Sequence, residues 1–195
     1  EIYTLSLHDA LPISQAVADE YQFTREDQDA YAIESLRRAQ AAIADGGFAS
    51  EVVPVTVKTR AGEVVVDTDE APGKGRPDKI PTLKPAFAKD GTITAASSSS
   101  ISDGAAAVVL TRESVAKAKG LAPVARVVAV TAHAQEPRLF ATAPMGAIDK
   151  LLKKAGWSVG DVDLFEINEA FACVAMFAMR DLGISHDKVN VHGGA

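Results

Sequence analysis

The chain has 195 residues, 47% hydrophobic and 24% charged, an ordinary balance for a globular protein with one large domain or two small ones. Its net charge of −6 at pH 7 argues against a nucleic-acid partner, and no run is apolar enough to span a membrane. One cysteine and four scattered histidines, His8, His133, His186 and His192, exclude an internal disulfide framework, offer no metal-ligand spacing and fit a reducing cytoplasm.

Residues 1–14, EIYTLSLHDALPIS, have no basic start and no sustained apolar core, which argues against a signal peptide. The run resembles translated sequencing-adapter read-through and is expected to be a non-native, dispensable and poorly ordered leader. Thr24 then opens a helix, with Glu26 and Asp27 suited to its positive end. Ala32, Leu36, Ala39 and Ile43 form one apolar stripe along it, and Gly46-Gly47 stops it. Glu51–Lys58 and Glu63–Asp67 are β-branched runs joined through Arg60-Ala61-Gly62, a hairpin in which Pro54 confines the first strand to an edge. Glu70–Pro85 is rich in Pro, Gly and Lys and reads as a loop. From Pro72 to Lys89, the five basic residues Lys74, Arg76, Lys79, Lys84 and Lys89 face one acid, Asp78, a contrast that fits either a solvated loop or an anionic ligand.

Four consecutive serines, Ser97 to Ser100, lead through Asp103-Gly104 into Ala105–Leu110, a buried-strand candidate, so the serines belong to a turn. Glu113–Lys119 is a short helix ended by Gly120, and Gly120–Pro123 is a domain junction. Val124–Val130 reads as a strand and Pro144–Gly156 as a helix. Val162–Ile167 is another short strand, and Glu169–Met179 is a helix apolar enough to be buried on every side. This βαβα order predicts a parallel sheet with right-handed crossovers. Asn168 sits at the joint between the last strand and helix. There it can cap the helix, and it also lies at the carboxyl end of a strand, where open α/β sheets place ligands.

Three motifs then converge. Asn168-Glu169-Ala170-Phe171, the run Asn190-Val191-His192-Gly193-Gly194-Ala195, and Thr94-Ala95-Ala96-Ser97-Ser98-Ser99-Ser100-Ile101-Ser102-Asp103-Gly104 together resemble the signatures of the thiolase family, in that family's order. The resemblance implies an α/β fold of the thiolase-like layered αβαβα architecture, present only in part. It divides the chain after the leader into a loop-domain segment over the active site (15–92), the end of the N-terminal thiolase domain (93–120) and a truncated C-terminal domain (121–195). It implies an acetyl-CoA C-acetyltransferase type of activity in the intact parent, a homo-oligomer with a coenzyme A thioester as substrate and no permanently bound cofactor. Arg76 is then the candidate for the CoA phosphate or adenine, Phe87 lines the pantetheine tunnel, Ser99 meets the pantetheine arm, and Ala170 and Phe171 shape the acyl pocket.

Claisen chemistry on a thioester needs an acyl-carrying nucleophile, a base and donors for developing oxyanions. The resemblance assigns the first two to cysteines and a histidine in motifs that this sequence does not contain. It assigns Asn168 to a water that helps form an oxyanion hole, work suited to a neutral amide. Glu169 is expected to orient the site or the helix start. Cys173 falls in an apolar helix and is read as packing, and His192 as a loop residue. The competing readings are a ketosynthase-like condensing enzyme and a non-catalytic relative that binds CoA or lipid.

Overall fold

The computed structural model describes residues 7–86 and 88–194; Phe87 lies outside the described residues. The first helix, α1 (Leu7–Glu20), begins inside the segment expected to be a poorly ordered leader. Residues 7–14 are not disordered but continue without a break into the helix. Ser14 is fully buried, and its carbonyl accepts from the Cys173 thiol at 3.9 Å. Burial of Val17 and Ala18 anchors the helix in the core, and extending it backwards costs little once a turn exists.

Thr24 opens α2 (Arg25–Ala44) with a full capping box, its hydroxyl accepting from Asp27 and its own N–H bonding the Asp27 carboxylate. The face that α2 buries is not the expected apolar stripe. Of Ala32, Leu36, Ala39 and Ile43, only Ala32 is buried. The buried face instead runs through Gln28, Tyr31, Ser35, Arg38 and Ala42, alternate steps of three and four residues that keep one side of a helix. Most of these side chains are polar, and they go inside because carbonyls and a carboxylate await them there.

The hairpin forms as expected, β1 (Val55–Thr59) antiparallel to β2 (Gly62–Val66), with Gly62 at φ 123° in the turn. Glu70–Pro85 is more ordered than a loop. It contains the short α3 (Glu70–Lys74) and a 3₁₀ turn, Pro77–Thr82. An ion pair joins Glu70 to Lys74, Ile80 is buried, and Arg25 of α2 donates to the carbonyls of Ile80 and Leu83 at 3.2 and 2.8 Å. These tethers replace the apolar periodicity that the segment lacks.

Two short helices follow, α4 (Glu113–Ala118) and α5 (Ala143–Ala155); α5 is capped by Gly156 in the left-handed conformation. The last helix, α6 (Ala172–Leu182), starts three residues later than the apolar pattern implied. It is the centre of the core: Cys173, Val174, Ala175, Phe177 and Ala178 are buried among Val17, Tyr31, Phe165, Ile167 and Val189.

The expected parallel sheet is reduced to a trace. Residues 105–110 and 124–130 are without strand pairing among the described residues and, apart from half-buried Ala129, are exposed, Val109 by 95% and Val124 completely. A strand is stabilised by its neighbour's backbone, and β-branched composition alone cannot supply that neighbour. Parallel pairing survives between Phe165 and Val189, where both residues are buried against α6.

Candidate active site

The joint before α6 is organised from the chain outwards. Along 165–168 the residues alternate in and out, Phe165 and Ile167 buried, Glu166 and Asn168 exposed, the period of an extended chain with one face on the core. The expected Asn168 cap is absent. Phe171 is the N-cap residue of α6 and makes no side-chain cap bond. The cap comes from the serine turn instead: the Ala172 N–H donates to the Ser97 carbonyl at 2.9 Å, satisfying one of the donors a helix start leaves open. Asn168 is therefore exposed and makes no hydrogen bond among the described residues.

The serine turn is itself held rigidly. The Ser97 hydroxyl accepts from Thr94 N–H at 2.9 Å, and the Ser98 hydroxyl donates to the Thr94 carbonyl at 2.8 Å. Thr94 and Ser97 are buried. Ser99, exposed, has its N–H on the Ala170 carbonyl at 3.1 Å, so small side chains lie directly beside the Asn168 turn. Phe171 is buried and meets Phe140 edge-on, centroids 6.4 Å apart.

Beneath the turn, Glu169 points inward. Its carboxylate accepts from the Tyr31 hydroxyl at 2.6 Å, the Ser35 hydroxyl at 2.7 Å and the Asn190 amide at 2.8 Å. Asn190 stands at φ 47°, a left-handed conformation that Asn tolerates better than most residues. Its side chain takes the place of the next peptide in the ladder. The Oδ1 accepts from Ile167 N–H and the Nδ2 donates to the Ile167 carbonyl, both at 2.8 Å. Arg38 donates to the carbonyls of His186 and Val189 at 2.9 and 2.8 Å, fixing the segment that leads to the glycines. Burial and the adjacent Glu169 charge hold the Tyr31 phenol above its ordinary value, so it remains a donor.

His186 stacks on Tyr31 with centroids 4.7 Å apart. Burial, and then the charge of Arg38, push its imidazole below the usual 6.5. The fold thus favours neutral imidazole, whereas the unfolded chain takes a proton as the pH falls through about 6.5. The sign follows from the protons bound: below that pH the unfolded state binds more, so stability present at neutral pH is lost on acidification. The melting temperature is expected to fall between pH 7.5 and 5.5, and less so in His186→Phe, which keeps a ring on Tyr31. Equal slopes for both proteins would overturn this.

Of the expected site residues, Asn168, Ser99, Ala170 and Phe171 come together. Arg76 does not join them. It is exposed on its own segment, donating to the Gly75 carbonyl at 3.0 Å. Two of the neighbouring lysines are paired, Lys74 with Glu70 and Lys79 with Asp78. His192 is exposed, edge-on to Phe48 at 5.9 Å, in a separate cleft of about 550 Å³ lined by Ala39, Val52, Asp67 and Gly193 among others. Cys173 is fully buried, and burial pushes its thiol up to about 12, so it is packing. Sequence reading missed Tyr31, Ser35, Arg38 and Asn190. The signal for the three α2 residues was the polar periodicity at 28, 31, 35 and 38, easily passed over beside an apolar stripe, and Asn190 was read only as part of the glycine-run motif, without a role of its own.

Comparison with known proteins accounts for this arrangement. Residues 11–114 match the family model for the thiolase N-terminal domain, and residues 121–195 that for the C-terminal domain. An acetyl-CoA acetyltransferase of Thiocystis violacea is 47% identical over 184 residues, 93% of this chain and 47% of the relative. A probable acetyl-CoA acetyltransferase of Dictyostelium discoideum is 49% identical over 91% of this chain and 43% of its own. The crystal structure of the Bacillus anthracis acetyl-CoA acetyltransferase superposes with a TM-score of 0.91 at 40% identity, covering 99% of this chain and 48% of that one. That of the human mitochondrial 3-ketoacyl-CoA thiolase gives 0.88 at 36%, over 94% and 47%. The chain spans about half the length of the curated relatives it matches, and its fold is the α/β fold of these structures, present in part. With both domain models matched and the backbone shared, the chain belongs to the thiolase family.

Proposed function

We propose that these residues form the oxyanion-binding half of an acetyl-CoA C-acetyltransferase, which joins or cleaves 3-ketoacyl-CoA by Claisen chemistry in a homo-oligomeric cytoplasmic parent of fatty acid metabolism. The observation that carries the reading is Asn168, turned outward at the end of an extended segment with its amide uncommitted, while the helix start beside it is capped from elsewhere. A cap role would have consumed that amide. Left open, it can fix a water that donates to the thioester oxygen without competing for the reacting proton. Ser99, Ala170 and Phe171 border the same turn and suit the acyl and pantetheine end of the substrate. Arg76, exposed and bonded among the described residues only to carbonyls of its own segment, remains available to an anionic nucleotide end. Among the described residues there is no cluster of metal-ligating side chains, and no helix is long and apolar enough to cross a membrane.

The experiment is a hybrid in which residues 15–195 replace the matching stretch of the Thiocystis violacea relative. Thiolysis of acetoacetyl-CoA by the purified hybrid is the expected result; a folded hybrid without turnover would overturn the reading. The 195-residue chain alone is expected to show no thiolysis. The sole cysteine is Cys173, whose buried thiol is held far from the thiolate that attack requires. CoA-dependent cleavage by the chain alone, purified free of host thiolase, would refute that.

A further inference from the structure

We infer that Glu169 is a positioning residue: clamped by Tyr31 and Ser35 of α2 and by Asn190, it ties the Asn168 turn and the glycine run into one frame that keeps Asn168 facing the substrate. This rests on the function proposed above.

The argument begins with parity. In an extended segment, neighbouring side chains face opposite ways. Ile167 is buried and Glu169 is bonded inward, so Asn168 between them must face out. A slip of one residue would turn the amide into the core. Ile167 alone resists that slip only through apolar packing, which any similar side chain would satisfy. Glu169 adds direction, because its two oxygens meet three donors from two separate parts of the chain.

The clamp also reaches the glycines. The Ser35 hydroxyl donates to Glu169 at 2.7 Å and accepts from the Gly194 N–H at 3.2 Å. A Cβ on Gly194 would collide with the Glu169 carboxyl, and one on Gly193 would lie 2.7 Å from the Ala39 nitrogen. The glycine run therefore sits directly on the carboxylate and on α2, with no room to shift independently. All three contacts of Glu169 are with donors, so an amide in its place keeps only one accepting oxygen. The other position becomes a donor, and the hydroxyl or amide facing it must turn round to accept or lose its bond. Removing one member should loosen the whole set, since the same hydrogen bonds hold both segments.

Two measurements decide. In the 195-residue chain, amide hydrogen exchange followed by NMR is compared for Glu169→Gln, Tyr31→Phe and Ser35→Ala. The Ile167 and Gly194 amides are expected to exchange about tenfold faster or more, with those of α5 changing less than about twofold, the mark of local rather than global opening. Acceleration spread evenly over α5, or none at Ile167 and Gly194, overturns the inference. In the hybrid, Glu169→Gln is expected to lower kcat about tenfold or more per folded molecule, with KM for acetyl-CoA within about twofold, as misplacement of a reacting group does. Tyr31→Phe added to it should cost little more, because the two act as one unit. An unchanged kcat, or independent and multiplicative losses, refutes the positioning role. If Glu169→Gln does not fold, Ser35→Ala, which keeps the carboxylate and its other two donors, carries the same comparison. An unsubstituted hybrid that is folded but inactive counts instead against the proposed function, and the exchange measurement alone then decides the role of Glu169.

Discussion

Asn168→Asp, made in the hybrid, is expected to lower kcat by about two to three orders of magnitude. Losing one oxyanion donor typically costs about 3–4 kcal/mol of transition-state stabilisation. The substitution keeps size and shape but sets a carboxylate beside oxygen that is becoming negative, so the loss should be no smaller. Stability should hardly change, because the Asn168 side chain is exposed and unbonded among the described residues. Asn168→Ala makes the separation sharp: a cap residue would there show the reverse, a stability loss of about 1 kcal/mol with turnover preserved. Cys173→Ser is the companion control. It places a hydroxyl in a fully buried position at a stability cost of about 1–3 kcal/mol, with turnover per folded molecule close to that of the unsubstituted hybrid. A folded but dead Cys173→Ser together with a near-normal Asn168→Asp would reverse the assignment of both residues.

The largest expected effect on stability belongs to Arg38→Met. The Arg38 side chain is 9% exposed and pairs with Glu34 at 2.7 Å, while its Nη1 donates to the carbonyls of His186 and Val189. Methionine retains much of the aliphatic stem but leaves those acceptors without their donor. Removing one partner of a buried, hydrogen-bonded charge typically costs about 3–5 kcal/mol. Glu34 is partly exposed and keeps Arg37 as a second partner, which places the expected loss toward the lower end. Arg37→Met is the comparison. It cuts a pair to the same carboxylate, at 2.7 Å, yet Arg37 is solvated and bonds nothing else among the described residues, so the urea midpoint should scarcely move. Equal shifts in the two midpoints at constant m would show that the carbonyl contacts of Arg38 contribute nothing.

The sequence alone was enough for the family, through three motifs in one order, and for the elements whose signals are local. Thr24 capped α2 because its oxygen needs only the third residue onward. Gly156 ended α5 because few other residues take a left-handed φ. The apolar run before Leu182 became the core helix because no solvated placement suits it. Tertiary structure decided what depends on partners distant in the chain. The buried face of α2 follows Tyr31, Ser35 and Arg38 because Glu169 and the carbonyls near residue 189 receive them, and hydropathy does not record a partner more than 130 residues away. Val124–Val130 has strand composition without strand structure, since pairing needs a neighbouring backbone at the right register. Asn168 carries the point furthest. Its sequence position allowed both a helix cap and an open amide, and the choice fell to Ser97, which caps α6 from another part of the chain, because a helix N–H donates to whichever oxygen the fold brings to it.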